Sequence, residues 1–103
     1  MHNEIKLPNS PYIDTQLGLK YLNGNRKLYS KVLNSFFTRY KDLEISTLTE
    51  NELKNTMHTI KGLSATLGMK ELSTLAETLN ESITEELLLK FSKTLKLIMY
   101  DLR

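Results

Sequence analysis

Thr49-Glu50-Asn51-Glu52-Leu53-Lys54-Asn55-Thr56-Met57-His58-Thr59-Ile60-Lys61-Gly62-Leu63-Ser64-Ala65-Thr66-Leu67-Gly68 is the stretch whose reading decides the fold. At roughly 100° per residue, and with Ile60 taken as the centre of the buried stripe, Leu53, Thr56, Met57, Leu63, Ser64 and Leu67 all fall within about 60° of it. That is the period of an amphipathic helix. Thr49 and Glu52 have the spacing of a capping box, in which each side chain satisfies a backbone N–H left free at the helix start. Gly68 is the expected stop, because glycine accepts the left-handed conformation after a last turn at little cost.

The same wheel puts His58 about 160° from Ile60, on the water-facing side. Lys61 follows at i+3 and Gly62 at i+4, so a cation and an absent side chain flank the imidazole. A glycine inside a helix costs about 1 kcal/mol relative to alanine. Gly62 also lies about 160° from the stripe centre, so packing inside the protein does not account for it. Room for an approaching partner does. An exposed imidazole with a cation beside it and open space in front is what a phosphoryl acceptor reached by another protein needs.

Upstream, residues 1–13 carry Pro8 and Pro11 among polar residues and read as a linker or lead-in. Asp14 can cap a short helix through about Leu22, ended by Asn23-Gly24. Asn25 then caps a longer helix with Leu28, Tyr29, Val32, Leu33, Phe36, Phe37, Tyr40 and Leu43 as its apolar positions. Downstream of Gly68, a further helix turns Leu72, Leu75, Ala76, Leu79 and Ile83 inward, and Ser82-Ile83-Thr84-Glu85 predicts a second capping box. The last helix buries Leu87, Leu88, Phe91, Leu95, Ile98 and Leu102. No segment alternates as a strand does. The pattern predicts an all-α fold: an antiparallel up-down-up-down four-helix bundle with a short extra N-terminal helix, over residues 14–103.

Length and charge narrow the function. A chain of 103 residues holds one core. A net charge of +2 is too small to make nucleic acid the default partner. Six basic and no acidic residues lie between Lys20 and Lys41, followed by Asp42, Glu44, Glu50 and Glu52; this reads as a solvated helix face leading into an acidic helix start, or as a docking surface for an acidic partner. With no cysteine there is neither a disulfide nor a thiolate metal site. No apolar run approaches the roughly 18 residues of a membrane span, and no signal-peptide pattern opens the chain, so a cytoplasmic monomer without direct membrane contact is expected. Any anchor of a parent protein in the inner membrane lies outside this sequence. Met1-His2 reads as a cloning remnant, and His2 is assigned no role.

The local chemistry around His58 is sparse. Zinc needs several His, Asp, Glu or Cys ligands, and one turn from His58 stand only Lys54, Asn55, Lys61 and Gly62. No nucleophile elbow or P-loop is present. Phosphoryl acceptance asks for less: a nucleophilic neutral imidazole, with Lys61 and Lys54 to offset the incoming charge.

His58-x-x-Lys61-Gly62-x-Ser64-x-x-Leu67-Gly68, followed by Leu72 and Leu79, resembles the signature of histidine-containing phosphotransfer (HPt) domains. Ile13-Asp14, Gly18-Leu19, Leu22-Asn23-Gly24-Asn25 and Leu28-Tyr29 resemble the first two helices of HPt domains at the C-terminus of bacterial hybrid sensor kinases. The resemblance spans about Ile13 to Ile83. It implies that His58 takes a phosphoryl group from a receiver-domain aspartate and hands it to another receiver, with Lys61 stabilising the group and Gly62 admitting the receiver loops. Lys54, Asn55, Ala65 and Asn80 complete the implied contact surface. Mg²⁺ is then expected in the partner receiver and no cofactor in this domain, which has no kinase activity of its own. Asn80 stands where the family usually has Gln or Glu, and Met57 and Leu63 are bulkier than the small residues often found beside the motif.

Two alternatives remain at the level of sequence. One is the phosphorylated HPt domain of a chemotaxis-type kinase, against which the Asp14–Asn25 match weighs. The other is a helical interaction module that binds partners without being phosphorylated. A histidine-kinase dimerisation domain is disfavoured, because those resemble His followed by an acidic residue and then proline, whereas Thr59 follows His58 and no proline comes later.

Overall fold

Asp14 and Asn25 set the first two helices. In the computed structural model, which describes residues 7–103, the Asp14 carboxylate accepts the Leu17 N–H at 3.0 Å and opens α1 (Thr15–Tyr21). The Asn25 side chain accepts the Leu28 N–H at 3.0 Å and opens α2 (Arg26–Tyr40). Between them Asn23 and Gly24 take positive φ, 56° and 73°, and the Gly24 N–H closes onto the Leu19 carbonyl at 2.7 Å. Each cap satisfies a donor that the helix itself leaves free. His2 and the first part of the lead-in lie outside the described residues.

The apolar stripe of α2 is narrower than the sequence suggests. Tyr29, Leu33, Phe36 and Tyr40 are buried, Val32 and Phe37 half-buried, and Leu28 is exposed. Leu43 falls beyond the helix, which stops at Tyr40, and a 3-10 turn at Ile45–Thr47 that periodicity did not predict brings Ile45 into the core. A three-residue turn is too short for a period to show.

Next comes α3 (Glu50–Leu67), opened by the predicted capping box: the Thr49 hydroxyl accepts the Glu52 N–H at 3.1 Å and the Glu52 carboxylate accepts the Thr49 N–H at 2.9 Å. It closes at Gly68, left-handed at φ 87°. Leu53, Met57, Ile60, Ser64 and Leu67 of the expected stripe are buried, and its Thr56 and Leu63 are half-buried. After Gly68-Met69 the chain doubles back as α4 (Lys70–Glu81), whose Leu72, Ala76 and Leu79 face the core; Leu75 and Ile83 are half-buried.

The start of α5 (Glu85–Leu102) corrects the sequence reading. Ser82 closes α4 in extended conformation, and the cap of α5 is Thr84, whose hydroxyl accepts the Leu87 N–H at 3.2 Å. The residue that would reciprocate is Leu87, which has no acceptor, so the second capping box is a single cap. Phe91, Thr94, Leu95, Ile98 and Met99 are buried, while Leu87, Leu88 and Leu102 are half-buried.

Among the described residues the fold is all-helical, five helices around one apolar cluster with a single isolated bridge between Ser10 and Ile13. The lead-in is tied down, since the Ser10 hydroxyl donates to Asp101 at 2.6 Å and Ile13 is buried. One corner holds α1, α2 and the end of α3 together. There the buried Tyr29 hydroxyl donates to the Leu67 carbonyl at 2.7 Å, and the Asp14 N–H donates to the Gly68 carbonyl at 2.8 Å. A Cβ on Gly18 would run into the Tyr29 ring and the Leu67 carbonyl, and one on Gly68 into the Asp14 carbonyl. Burial, with the Asp14 carboxylate adding to it, pushes the Tyr29 phenol up to about 12.

Candidate functional site

The outward face of α3 is built by helix geometry alone. Lys54, Asn55, Lys61, Gly62 and Ala65 stand at i−4, i−3, i+3, i+4 and i+7 from His58, all within about 60° of it around the axis. His58, Lys54, Asn55, Gly62 and Ala65 are exposed and Lys61 is partly so. The buried stripe, through Ile60, Met57 and Leu67 at zero exposure, forces this outcome, since a helix that turns those side chains inward must turn His58 outward.

Two of these positions leave the surface low. A Cβ on Gly62 would meet nothing within 4 Å, so no neighbouring helix requires a glycine there. Ala65 adds only a methyl group. The imidazole is therefore open on this side over bare backbone.

The cations beside His58 differ in their partners. Lys54 lies 4.0 Å from Glu50 on its own helix, both side chains well exposed, which is a weak pair. Lys61 reaches across to α4, its Nζ 2.8 Å from Glu77 Oε2. Its carbonyl is held from the same helix, accepting the Ser73 hydroxyl at 3.0 Å. The buried Ser64 hydroxyl donates chiefly to the Ile60 carbonyl at 2.5 Å. So α4 grips Lys61 at both ends.

Glu77 and Ser73 were not singled out from sequence. A signal for Glu77 was present: Lys61 and Glu77 are each eight residues from Met69, at the turn between the two helices. Two antiparallel helices with equal rise bring such residues to one level. His58 and Asn80 are each eleven residues from the same turn, and Asn80 is half-buried on α4.

Among the described residues no group of three or more His, Asp or Glu is placed to hold a metal ion, and no helix is long and apolar enough to cross a membrane. Residues 32–103 match the family model of the Hpt domain. The chain belongs to the Hpt family. The match takes in most of α2 and all of α3, α4 and α5, and with them the whole face around His58. No curated protein and no solved structure matches the chain. Hpt domains are phosphocarriers of two-component phosphorelays and interact with response-regulator receiver domains. In this Hpt domain the face of α3 described above supplies an accessible imidazole, a neighbouring ammonium and a cleared approach.

Proposed function

We propose that His58 accepts a phosphoryl group from the aspartate of one receiver domain and passes it to another. The observation that carries this is the exposure of His58 on a face of α3 kept low by Gly62 and Ala65, with the Lys61 ammonium one turn away. The ring nitrogen without a proton supplies the electron pair to phosphorus. The bond from phosphorus to the aspartyl oxygen breaks, and the carboxylate leaves with the electron pair of that broken bond. Lys61 offsets the charge of the transferred group, and Lys54 and Asn55 extend the receiver contact. Mg²⁺, for which no cluster of ligands stands among the described residues, is expected on the receiver.

The register between α3 and α4 supports Asn80 opposite His58, within direct or water-bridged reach of the imidazole. Its shorter side chain makes that contact longer than a glutamine would. The α3–α4 hairpin and an envelope of 48 × 23 × 21 Å support an antiparallel up-down-up-down arrangement of α2 to α5, with α1 packed at one end. We place the domain, as a monomer over residues 14–103, in the cytoplasm as a part or partner of a hybrid sensor kinase.

The test is incubation with phosphorylated receiver domains, followed by acid and alkali treatment. Label on the domain that is acid-labile and alkali-stable identifies phosphohistidine, and His58→Gln is expected to abolish it with the fold unchanged. Transfer persisting in His58→Gln moves the acceptor elsewhere. Binding of receivers without any transfer leaves an interaction module.

A further inference from the structure

We propose that Glu77 sets how readily His58 holds a phosphoryl group, by competing with that group for the Lys61 ammonium. The proposal rests on His58 being the acceptor and concerns the control of that same site.

Lys61 is the cation one turn from His58 that α4 holds in place, and in the structure its charge is already engaged. Its Nζ is 2.8 Å from the Glu77 carboxylate, with the two side chains 43% and 52% exposed. A pair this exposed is weak enough to exchange, because water solvates either ion nearly as well as the partner does. The backbone of Lys61 does not need to move for the exchange. Ser73 holds its carbonyl at 3.0 Å and the helix holds the rest, so the swing from Glu77 toward His58 is a change of side-chain rotamer.

The charge balance gives the direction. Before transfer, Lys61 and Glu77 neutralise each other. After transfer the imidazole carries a dianionic phosphoryl group, and the ammonium has two anionic claimants. Each fraction of time that Lys61 spends on Glu77 is lost to the phosphoryl group, so the carboxylate raises the free energy of the phosphorylated state and leaves the group easier to pass on. Lys54, one turn from His58 in the other direction, pairs loosely with Glu50 at 4.0 Å, so what it gives the phosphoryl group is the same with or without Glu77. A carrier needs a product neither too stable nor too unstable relative to its donors. Glu77 is the residue in direct contact with the cation that tunes this.

A small-molecule equilibrium tests the proposal without a receiver. Free phosphoimidazole transfers its group to His58: the new P–N bond forms at His58, the old one breaks with its pair going to the released imidazole, and the proton shed by the His58 ring reaches that imidazole through water. ³¹P NMR of the full chain gives the partition of phosphoryl between His58 and free imidazole. Glu77→Gln is expected to shift it toward His58 by about three- to tenfold, and Lys61→Gln to shift it the other way. In the Lys61→Gln background, Glu77→Gln is expected to move the partition less than about twofold. An unchanged partition in Glu77→Gln, a shift toward free imidazole, or an equal shift with and without Lys61 would each overturn the competition. Absence of label on His58 in the wild-type chain would instead remove the acceptor assignment itself. A general loss of fold, which circular dichroism reads, does not produce opposite shifts at Glu77 and Lys61.

Discussion

The Lys61 ammonium and the Glu77 carboxylate meet at 2.8 Å across α3 and α4. Both residues lie eight positions from Met69, so the contact records the register of the hairpin as well as a local charge pair. It also ties the cation one turn after His58 to the neighbouring helix.

Lys61 and Lys54 should therefore separate in mutagenesis. Lys61→Ala is expected to slow phosphoryl transfer about tenfold or more, because a charge-assisted contact to the moving group is lost while the nucleophile stays. Lys54→Ala, which loses the loose 4.0 Å pair with Glu50 and a receiver contact away from the moving group, is expected to weaken receiver binding and to change the rate at saturating receiver less than about twofold. Single-turnover kinetics with one phosphorylated receiver measures both.

At Gly62, stability and transfer should move in opposite directions. A Cβ there meets nothing within 4 Å, so Gly62→Gln gains helix propensity and is expected to raise stability by several tenths of a kcal/mol, up to about 1. The same side chain occupies the approach to His58 and is expected to weaken receiver docking. Urea denaturation and receiver titration check the two signs, and a loss of stability would show that Gly62 is structural.

Gly68 and Gly24 share a left-handed backbone but not their surroundings. Gly24→Ala adds a methyl group to open space and is expected to cost about 1 kcal/mol from the positive φ alone. Gly68→Ala also drives a Cβ into the Asp14 carbonyl, across the joint between α1 and α3, and is expected to cost at least about 2 kcal/mol. Equal midpoints in denaturant for the two variants would contradict the close approach at Gly68.

Tyr29 makes stability depend on pH in an alkaline window. Its phenol ionises near 10 in the unfolded chain and at about 12 in the folded one. Between those values the unfolded chain has released a proton that the folded chain retains. Stability is thus fully present below about pH 10 and falls as pH rises toward 12, by about 2–3 kcal/mol from this group. Tyr29→Phe is expected to be less stable at neutral pH, having lost the bond to the Leu67 carbonyl, and to decline less steeply between pH 10 and 12. Parallel declines for the two proteins would rule this out.

What could be read from the sequence follows from how far each interaction reaches along the chain. The helices, the caps at Asp14, Asn25 and Thr49 and the stop at Gly68 are settled within four residues, and so is the outward face that carries His58 with Lys61 and Gly62. Composition and spacing therefore determined them by themselves. The start of α5 was misjudged because Ser82 and Thr84 offer the same hydroxyl two residues apart, and only the end of α4 at Glu81 decides which one is free to cap. Glu77 against Lys61, Thr94 against Glu71 at 3.2 Å and Tyr29 against the Leu67 carbonyl were the tertiary structure's to decide. They join residues 16 to 38 positions apart, and their existence depends on how each helix is rotated and slid against the next. That rotation is set by the packing of many apolar side chains at once, which no single spacing in the sequence encodes.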